Sequence, residues 1–308
     1  MRRDASREGK KQTWRLLTAN TTAWSSAQAL VVTLQERQEG FDCVALQETR
    51  LEGPDNLHRA RSWADKKGLS LALAPAERTG AGPLQTSGGV ALAVRKSVGS
   101  LAVHSPALEA HKGRLVVVQI EGMIRGGFLA VSAYFRPGVG ISGQNATMLE
   151  DLGAYLRGQD RPWVVAADWN WSPGDLEQSG WPGAVGGAIV CPEGPTCSSG
   201  FGSTLDYFVL SEALVGFVTS VQILDWAPTA PHSPVALTLE GVSMAAQQQQ
   251  LVKWRPFPAK AKVGCLRQPV EVEWFLGAGA GACRASRGLG RVGDQCRDSA
   301  VWGFRHTQ

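Results

Sequence analysis

Pro162-Trp163-Val164-Val165-Ala166-Ala167-Asp168-Trp169-Asn170-Trp171-Ser172-Pro173 is the stretch on which the reading of the fold turns. Val164, Val165, Ala166 and Ala167 are small apolar residues in a row, bounded by prolines, which reads as a buried strand rather than a helix. The strand runs into Asp168 and Asn170, two short polar side chains at alternate positions. Alternation along an extended backbone puts both on one side, where they can serve one ligand. A carboxylate and a carboxamide at the mouth of a buried strand suit a water, a metal or a phosphate oxygen. The same residue types also suit a turn into Ser172-Pro173-Gly174. The surrounding chain has to decide between the two.

Upstream, residues 13–19 read as a strand that delivers Asn20. Ser25-Ser26 then caps a helix with Ala27, Leu30, Val31 and Leu34 on one face, ending near Gly40. Residues 42–46 form a second strand, which delivers Gln47 and Glu48. Strand, helix and strand make a βαβ unit, so an α/β fold is favoured. Residues 55–68 have a polar helical pattern, and 69–73 a strand pattern. Strands over 88–94, 114–120 and 127–134 follow with no helix between them, so antiparallel pairing and a mixed sheet are predicted. An amphipathic helix over 145–158, with Met148, Leu149, Leu152 and Leu156 inward, leads into the opening strand.

Downstream, 174–202 is a long loop rich in Gly, Pro and Ser. Residues 204–210 resume the sheet, and 217–224 and 234–239 supply the last strands, with His232 between them. After Glu240 the periodicity collapses into a Gln run with scattered Gly and Arg. The chain therefore divides into a basic disordered arm (1–12), one domain (13–240) and a low-complexity basic tail or linker (241–308).

With 308 residues, 44% of them hydrophobic and 19% charged, the chain can bury a sizeable core. No apolar run is long enough to span a bilayer, and the charged N-terminus lacks the apolar segment of a secretory signal. The six cysteines are sparse and irregular, which favours a reducing compartment over a disulfide framework or a structural zinc. The net charge of +4 hides a partition: basic ends on an acidic body. Attraction for nucleic acid would then come largely from the flanks, and an acidic body makes sense if carboxylates are committed to a cation.

Asn20, Glu48, Tyr134, Asp168, Asn170, Asp206 and His232 all stand at strand ends or just beyond. Open α/β sheets build their sites there. Each residue also has an ordinary role: a turn, a pair between Glu48 and Arg50, a half-buried aromatic, a strand-edge charge, a surface histidine. One site accounts for all seven together. Its chemistry reads as phosphate-ester hydrolysis, because a hard divalent cation wants the oxygens that Glu48, Asn20 and Asp168 offer. An Asp–His pair adds an oriented imidazole. No Walker-type loop and no G-x-S-x-G elbow is present.

The ordered series resembles the endonuclease/exonuclease/phosphatase superfamily, on its apurinic-endonuclease and retroelement-endonuclease side. Leu16-Leu17-Thr18-Ala19-Asn20 is similar to its first Asn motif, and Val44-Ala45-Leu46-Gln47-Glu48-Thr49 to its Gln-Glu-Thr motif. Ser87-Gly88-Gly89-Val90-Ala91 and Lys112-Gly113-Arg114 match internal strands, and Ser132-Ala133-Tyr134 the strand bearing the site tyrosine. Ala167-Asp168-Trp169-Asn170 resembles Gly-Asp-x-Asn, Leu205-Asp206-Tyr207 the Asp-Tyr strand, and Pro231-His232-Ser233-Pro234-Val235 the final Ser-Asp-His-x-Pro-Val signature.

The resemblance implies a four-layered α/β sandwich, two mixed sheets packed face to face with helices outside, and a magnesium-dependent phosphodiesterase site (manganese as a substitute). By that analogy Glu48 binds the metal, assisted by Asn20. Asp168 positions and deprotonates the attacking water, and Asn170 steadies the transition state. Tyr134 contacts the scissile phosphate, and His232, oriented by Asp206, completes the charge stabilisation. Three positions depart from the pattern: Pro231 replaces an Asp associated with the metal, Ala167 replaces Gly, and Thr22 stands where a second Asn is common.

The leading expectation is a retroelement-type DNA endonuclease, acting on intracellular DNA (nuclear if genomic) beside a fused or separate reverse transcriptase. The alternatives are a phosphatase or phospholipid phosphodiesterase of the same superfamily, or a catalytically decayed domain that binds nucleic acid without cutting, to which Pro231 points.

Overall fold

The computed structural model describes residues 11–80, 85–122, 124 and 126–242, so the arm over 1–12 and the tail over 241–308 fall almost wholly outside the described residues. Strands β1 (Lys11–Asn20) and β2 (Cys43–Gln47), joined by α1 (Trp24–Glu36), lie parallel with Asn20 opposite Gln47. Helix α2 (Pro54–Lys66) leads to β3 (Leu69–Ala74). A small hairpin of β4 (Glu77–Arg78) and β5 (Thr86–Ser87) precedes β6 (Val90–Arg95). Then come β7 (Ser100–Val103), α3 (Pro106–Glu109), β8 (Leu115–Ile120) and β9 (Phe128–Tyr134). Helix α4 (Gly143–Arg157) carries the chain to β10 (Trp163–Asp168), parallel to β9 with Asp168 opposite Tyr134. Two short helices, α5 (Pro173–Gln178) and α6 (Trp181–Ala184), and β11 (Gly187–Val190) lead to β12 (Asp206–Ser211). Helix α7 (Glu212–Val215), β13 (Val218–Ile223) and β14 (Val235–Val242) finish the described chain.

The strands form two six-stranded mixed sheets, ordered β13-β14-β1-β2-β6-β3 and β11-β12-β10-β9-β8-β7. Each strand sends alternate side chains to opposite faces, and the core divides accordingly. Leu16, Ala45, Leu92, Phe128, Ala130, Val164, Ala166, Phe208 and Leu237 fill the layer between the sheets. Their neighbours Leu17, Val44, Leu46 and Ala93 face α1 and α2 through Ala27, Leu30, Val31, Leu34 and Ala64. On the other side Val131, Ala133, Val165, Ala167 and Val209 face Met148, Leu149, Leu152 and Leu156 of α4. Helix, sheet, sheet and helix make four layers, the expected α/β sandwich. No helix among the described residues is long and apolar enough to cross a membrane.

Several local expectations are corrected. Ser25-Ser26 does not cap α1: the N-cap is Ala23, with no side-chain hydrogen bond, and both serines lie inside the helix. Residues 174–202 are not one long loop, because a capping box closes α5, with Ser172 Oγ accepting from the Asp175 N–H and Asp175 accepting from Ser172 N–H. The strand predicted over 88–94, which is β6, does not join 114–120 and 127–134. It pairs antiparallel with β2 and β3 in the opposite sheet, while β7 and α3 intervene before β8. Asp168 and Asn170 do not share one face of an extended strand either. Strand β10 ends at Asp168, and Asn170 adopts a left-handed backbone (φ 56°). Trp169 drives that turn: its buried ring stacks on Phe135 (5.1 Å between centroids) and Tyr207 (5.4 Å), holding the chain against the outer face of the sheet.

Candidate active site

The same alternation that sorts the core also places the site. Leu16, Thr18 and Asn20 lie on one face of β1; Phe128, Ala130, Ser132 and Tyr134 on one face of β9; Val164, Ala166 and Asp168 on one face of β10; and Asp206 shares a face of β12 with Phe208 and Leu210. In each case that face is the one toward the opposite sheet. Asn20, Tyr134, Asp168 and Asp206 therefore stand where the central core ends and solvent begins.

A polar layer separates them from the hydrocarbon below. Gln47, fully buried, donates from Nε2 to Ser132 Oγ (3.1 Å) and to the Ala166 carbonyl (3.3 Å). Ser132 Oγ donates to the Leu46 carbonyl (3.2 Å), and Thr18 Oγ1 to Gln47 Oε1 (3.4 Å). The Thr18 bond lies within one sheet, and the other three cross between the two sheets. Leaving a buried partner unsatisfied costs about 1–3 kcal/mol, so the plug locks the sheets at the register that the site needs. Gln47 was in view only as the neighbour of Glu48; its alternation with Cys43 and Ala45 was the available signal.

The expected residues come together in two linked groups. Asn20 Nδ2 lies between two carboxylates, 2.7 Å from Asp168 Oδ2 and 3.2 Å from Glu48 Oε2, while its Oδ1 accepts from the Thr22 N–H (3.0 Å). His232 Nδ1 is 2.7 Å from Asp206 Oδ2. Asp168, Asp206 and His232 each offer a ligand atom within 4.8 Å of the others. Tyr134 lies beside Glu48, whose charge acts on its phenol. Asn170 enters through its main chain: its N–H donates to Asp168 Oδ1 (3.1 Å), and its side-chain Nδ2 is held by the Phe135 carbonyl (2.8 Å). Thr22, Glu48 and Asn170, all non-glycine, have positive φ between 51° and 56°. Such backbones persist only where the surroundings enforce them and cluster at functional sites.

Burial of this much charge perturbs the titrating groups. Burial, and then the charge of Asp206, raise the Asp168 carboxyl far above the usual range, against the pull of His232, the Asn20 amide and the Asn170 N–H. Burial alone would lower the His232 imidazole. The hydrogen bond and charge of Asp206, with the charge of Asp168, outweigh it and lift the pKa to about 9. Burial and the Glu48 charge raise the Tyr134 phenol well above the usual tyrosine value, so it remains a neutral donor at every working pH.

Two further residues support the set. Thr196, buried in the segment before β12, donates from Oγ1 to Asp206 Oδ2 (2.9 Å) and accepts from the Leu205 and Asp206 N–H groups (2.9 Å each). Nothing in a Gly- and Pro-rich stretch marked it. Arg114, 3% exposed, lies 4.8 Å above the Tyr134 ring and donates to Ser87 Oγ (2.7 Å), with its Nε and Nη1 unpartnered. It was visible in sequence only as part of a strand match.

A hard divalent cation fits this donor set. The groups that would hold it are carboxylate oxygens, Asp206 Oδ1 is buried with no partner, and the charges of Asp168 and Asp206 oppose one another. Pro231 presents no side-chain oxygen beside His232; its carbonyl instead accepts from Ser198 N–H (2.9 Å) and Ser198 Oγ (3.0 Å). Cys43, Cys191 and Cys197 are free thiols, so the loop between Cys191 and Cys197 is not closed by a disulfide.

Residues 13–228 match the model of the Endonuclease/Exonuclease/phosphatase family. Many solved structures share the fold, among them the three that follow. The endonuclease domain of TRAS1, a telomere-specific non-LTR retrotransposon, is 19% identical with a TM-score of 0.54, over 74% of this chain and 98% of its own. An AP endonuclease from Archaeoglobus fulgidus is 16% identical, TM-score 0.56, over 73% and 99%. The 3' phosphatase NExo from Neisseria, bound to product DNA hairpin, is 16% identical, TM-score 0.54, over 73% and 98%. No curated protein matches by sequence.

Proposed function

This chain belongs to the Endonuclease/Exonuclease/phosphatase family, and from that premise we propose that it is a divalent-metal-dependent phosphodiesterase that cuts DNA, of the retroelement type. The observation that carries the reading is the closure of the two sheets on one point: Asn20 and Glu48 from one sheet meet Asp168 from the other, and Asp168 meets Asp206 and His232. Glu48, with Asn20 orienting it, would hold the cation, magnesium or manganese. A bound divalent cation would supply charge neutralisation at the phosphate.

The chain's own residues do the rest. Asp168, kept proton-hungry by burial and by Asp206, accepts a proton from the attacking water, and the Asn20 amide and Asn170 N–H fix its two oxygens. Held protonated by Asp206, His232 places a positive charge against the developing phosphorane. Tyr134 donates a neutral hydrogen bond to the same group, and Asn170 braces the turn that sets the distance between them. A family member of this type would work inside the cell, in the nucleus if its DNA is genomic, beside a fused or separate reverse transcriptase. The likeness to the TRAS1 domain supports that choice; the likeness to NExo keeps a phosphatase as the related alternative, with a phospholipid phosphodiesterase behind it.

Nicking of supercoiled plasmid under magnesium titration tests the proposal, with RNA and a small phosphate ester in parallel. Asp168→Ala cutting as fast as wild type would end it. A second reading, a decayed domain that binds nucleic acid without cutting, rests on Pro231. It predicts that wild type binds but does not nick, and that Pro231→Asp restores nicking.

A further inference from the structure

An open sheet edge presents unpaired main-chain groups to any chain that can lie along it, and folded proteins blunt such edges. Among the described residues the two large sheets end in β13, β3, β11 and β7. Three of these are blunted: β13 carries a register shift between Val218 and Ser220, and β11 and β7 run for only four residues each. Strand β3 is not. Its six residues, Leu-Ser-Leu-Ala-Leu-Ala, contain no charge and no proline and pair with β6 in unbroken register.

The alternation of hydrogen-bonded and non-bonded pairs in an antiparallel ladder fixes which groups of β3 are open. Lys96 N–H donates to the Gly68 carbonyl (3.0 Å), one step beyond the Leu69–Arg95 pair. The bonded pairs that follow are Ser70–Val94, Ala72–Leu92 and Ala74–Val90. The N–H and C=O groups of Leu69, Leu71 and Leu73 therefore point away from β6, at two-residue intervals.

Two hollows lie along that edge. One, of about 500 Å³, is lined by Leu71, Ala72, Leu73 and Ala74 together with Ala102 and Val103 of β7. The other, of about 490 Å³, runs past Leu69, Ser70 and Leu71 to Ser100. A strand that showed one face to a cavity would line it with alternate residues, so consecutive residues mean that the main-chain edge is the wall. Ala72 lies opposite Leu92 and Ala102 opposite Val118, so the side chains that these edges turn toward the central layer are small.

The rim of the larger hollow is basic. Arg61 and Lys112 are exposed and make no ion pair among the described residues, with His104 beside them and Glu109 as its one carboxylate. In the other hollow Asp65 is paired with Lys96. A second copy of the chain pairing β3 with β3 across a twofold axis would set this rim against its own like. An extended peptide with acidic side chains would meet it with opposite charge.

We propose that β3 accepts an added strand from a partner protein: an extended segment of alternating acidic and apolar residues. Its main chain pairs with Leu69, Leu71 and Leu73, its apolar side chains enter the hollows, and its carboxylates meet Arg61 and Lys112. Strand β6 and β3 itself stand between the added strand and β2, the strand that delivers Glu48, a separation of roughly 14 Å. The proposal does not depend on the phosphodiesterase reading.

Fluorescence anisotropy of a labelled hexapeptide, Glu-Val-Glu-Val-Glu-Val, titrated with the full chain tests the added strand. Saturable binding is expected, about tenfold weaker for the Lys-Val counterpart. Methylating one alternate set of peptide nitrogens should cost about tenfold or more and methylating the other set little, because only one set faces β3. Leu71→Pro removes an N–H that serves no bond in the β6 ladder and should weaken binding about tenfold. Arg61→Glu combined with Lys112→Glu, both on the surface, should reverse the preference between the two peptides. No saturable binding of the Glu-Val peptide, equal binding of the Lys-Val peptide, or equal losses from both methylated peptides would overturn the proposal. So would sedimentation of the free chain as a dimer that Leu71→Pro dissolves, since a second copy would then hold the edge.

Discussion

Two βαβ units face each other across the core, β1–α1–β2 and β9–α4–β10, and they deliver unlike chemistry to the same point. Both are parallel pairs whose last residues stand side by side, Asn20 with Gln47 and Tyr134 with Asp168. In the first unit the carboxylate comes after the strand: Glu48 keeps 16% of its side chain exposed, 3.7 Å from Arg50. In the second, Asp168 is the final strand residue, fully buried, with Asp206 fully buried beside it. One half of the site can admit a cation from solvent; the other holds charge that only a partner can relieve. The difference is one residue of strand length, and it separates a group suited to ligand exchange from one suited to proton transfer.

The largest effect expected of breaking that contrast is catalytic. Asp168→Ala should slow nicking by about a thousandfold or more at every magnesium concentration, whereas Glu48→Gln should regain much of its loss as magnesium is raised. Equal rescue of both variants in a metal titration would erase the distinction between the halves.

Removing the bridge between the halves comes next. Gln47→Leu removes the donor to Ser132 Oγ and the Ala166 carbonyl and the acceptor of the buried Thr18 hydroxyl and should cost about 2–3 kcal/mol. Urea unfolding at unchanged m-value reads it; a loss under 0.5 kcal/mol would show that the sheets need no polar lock.

The buried half should also make metal-free stability depend on pH. His232, raised from 6.5 to about 9, contributes stability that is full below pH 6.5 and lost as pH rises through 9. The raised Asp168 carboxyl has the same sign, because the folded state again holds the proton more tightly than the unfolded one. Thermal melts without metal should fall by roughly 5 °C between pH 6.5 and 9, and added magnesium should flatten the fall. A melting point that rises over this range would refute the electrostatic account.

The smallest effect sharpens the second half. Thr196→Val deletes the hydroxyl that donates to Asp206 and accepts from the Leu205 and Asp206 N–H groups and should cost about 1–2 kcal/mol, with Thr196→Ser close to wild type in the same melts.

Period-two patterning made most of this readable in advance. Val164, Val165, Ala166 and Ala167 had to be a strand buried on both faces, and Asp168 had to mark its end. Asn20, Tyr134 and Asp206 followed from the same rule on three other strands. What escaped was whatever carried no pattern of its own. Strand β7 is four residues long with Leu101 exposed, so its alternation is invisible. Thr196 sits among Gly and Pro, and its value lies in three hydrogen bonds made 9 and 10 residues away. Ser25 and Ser26 looked like a cap because residue type favours one, but the chain turned into the helix at Ala23.

The amino-acid sequence by itself determined the first βαβ unit, most of the other strands and helices and the identity of the polar residues at the strand ends, because burial and alternation are properties of the local chain; the four layers came from the family resemblance. Only the tertiary structure decided which ends meet. Asn20 and Asp168 are separated by 148 residues and lie in different sheets, and no periodicity along the chain encodes that contact. It exists because the inward faces of both sheets share one apolar layer. The polar side chains that follow on those faces are then left at the same open end of it.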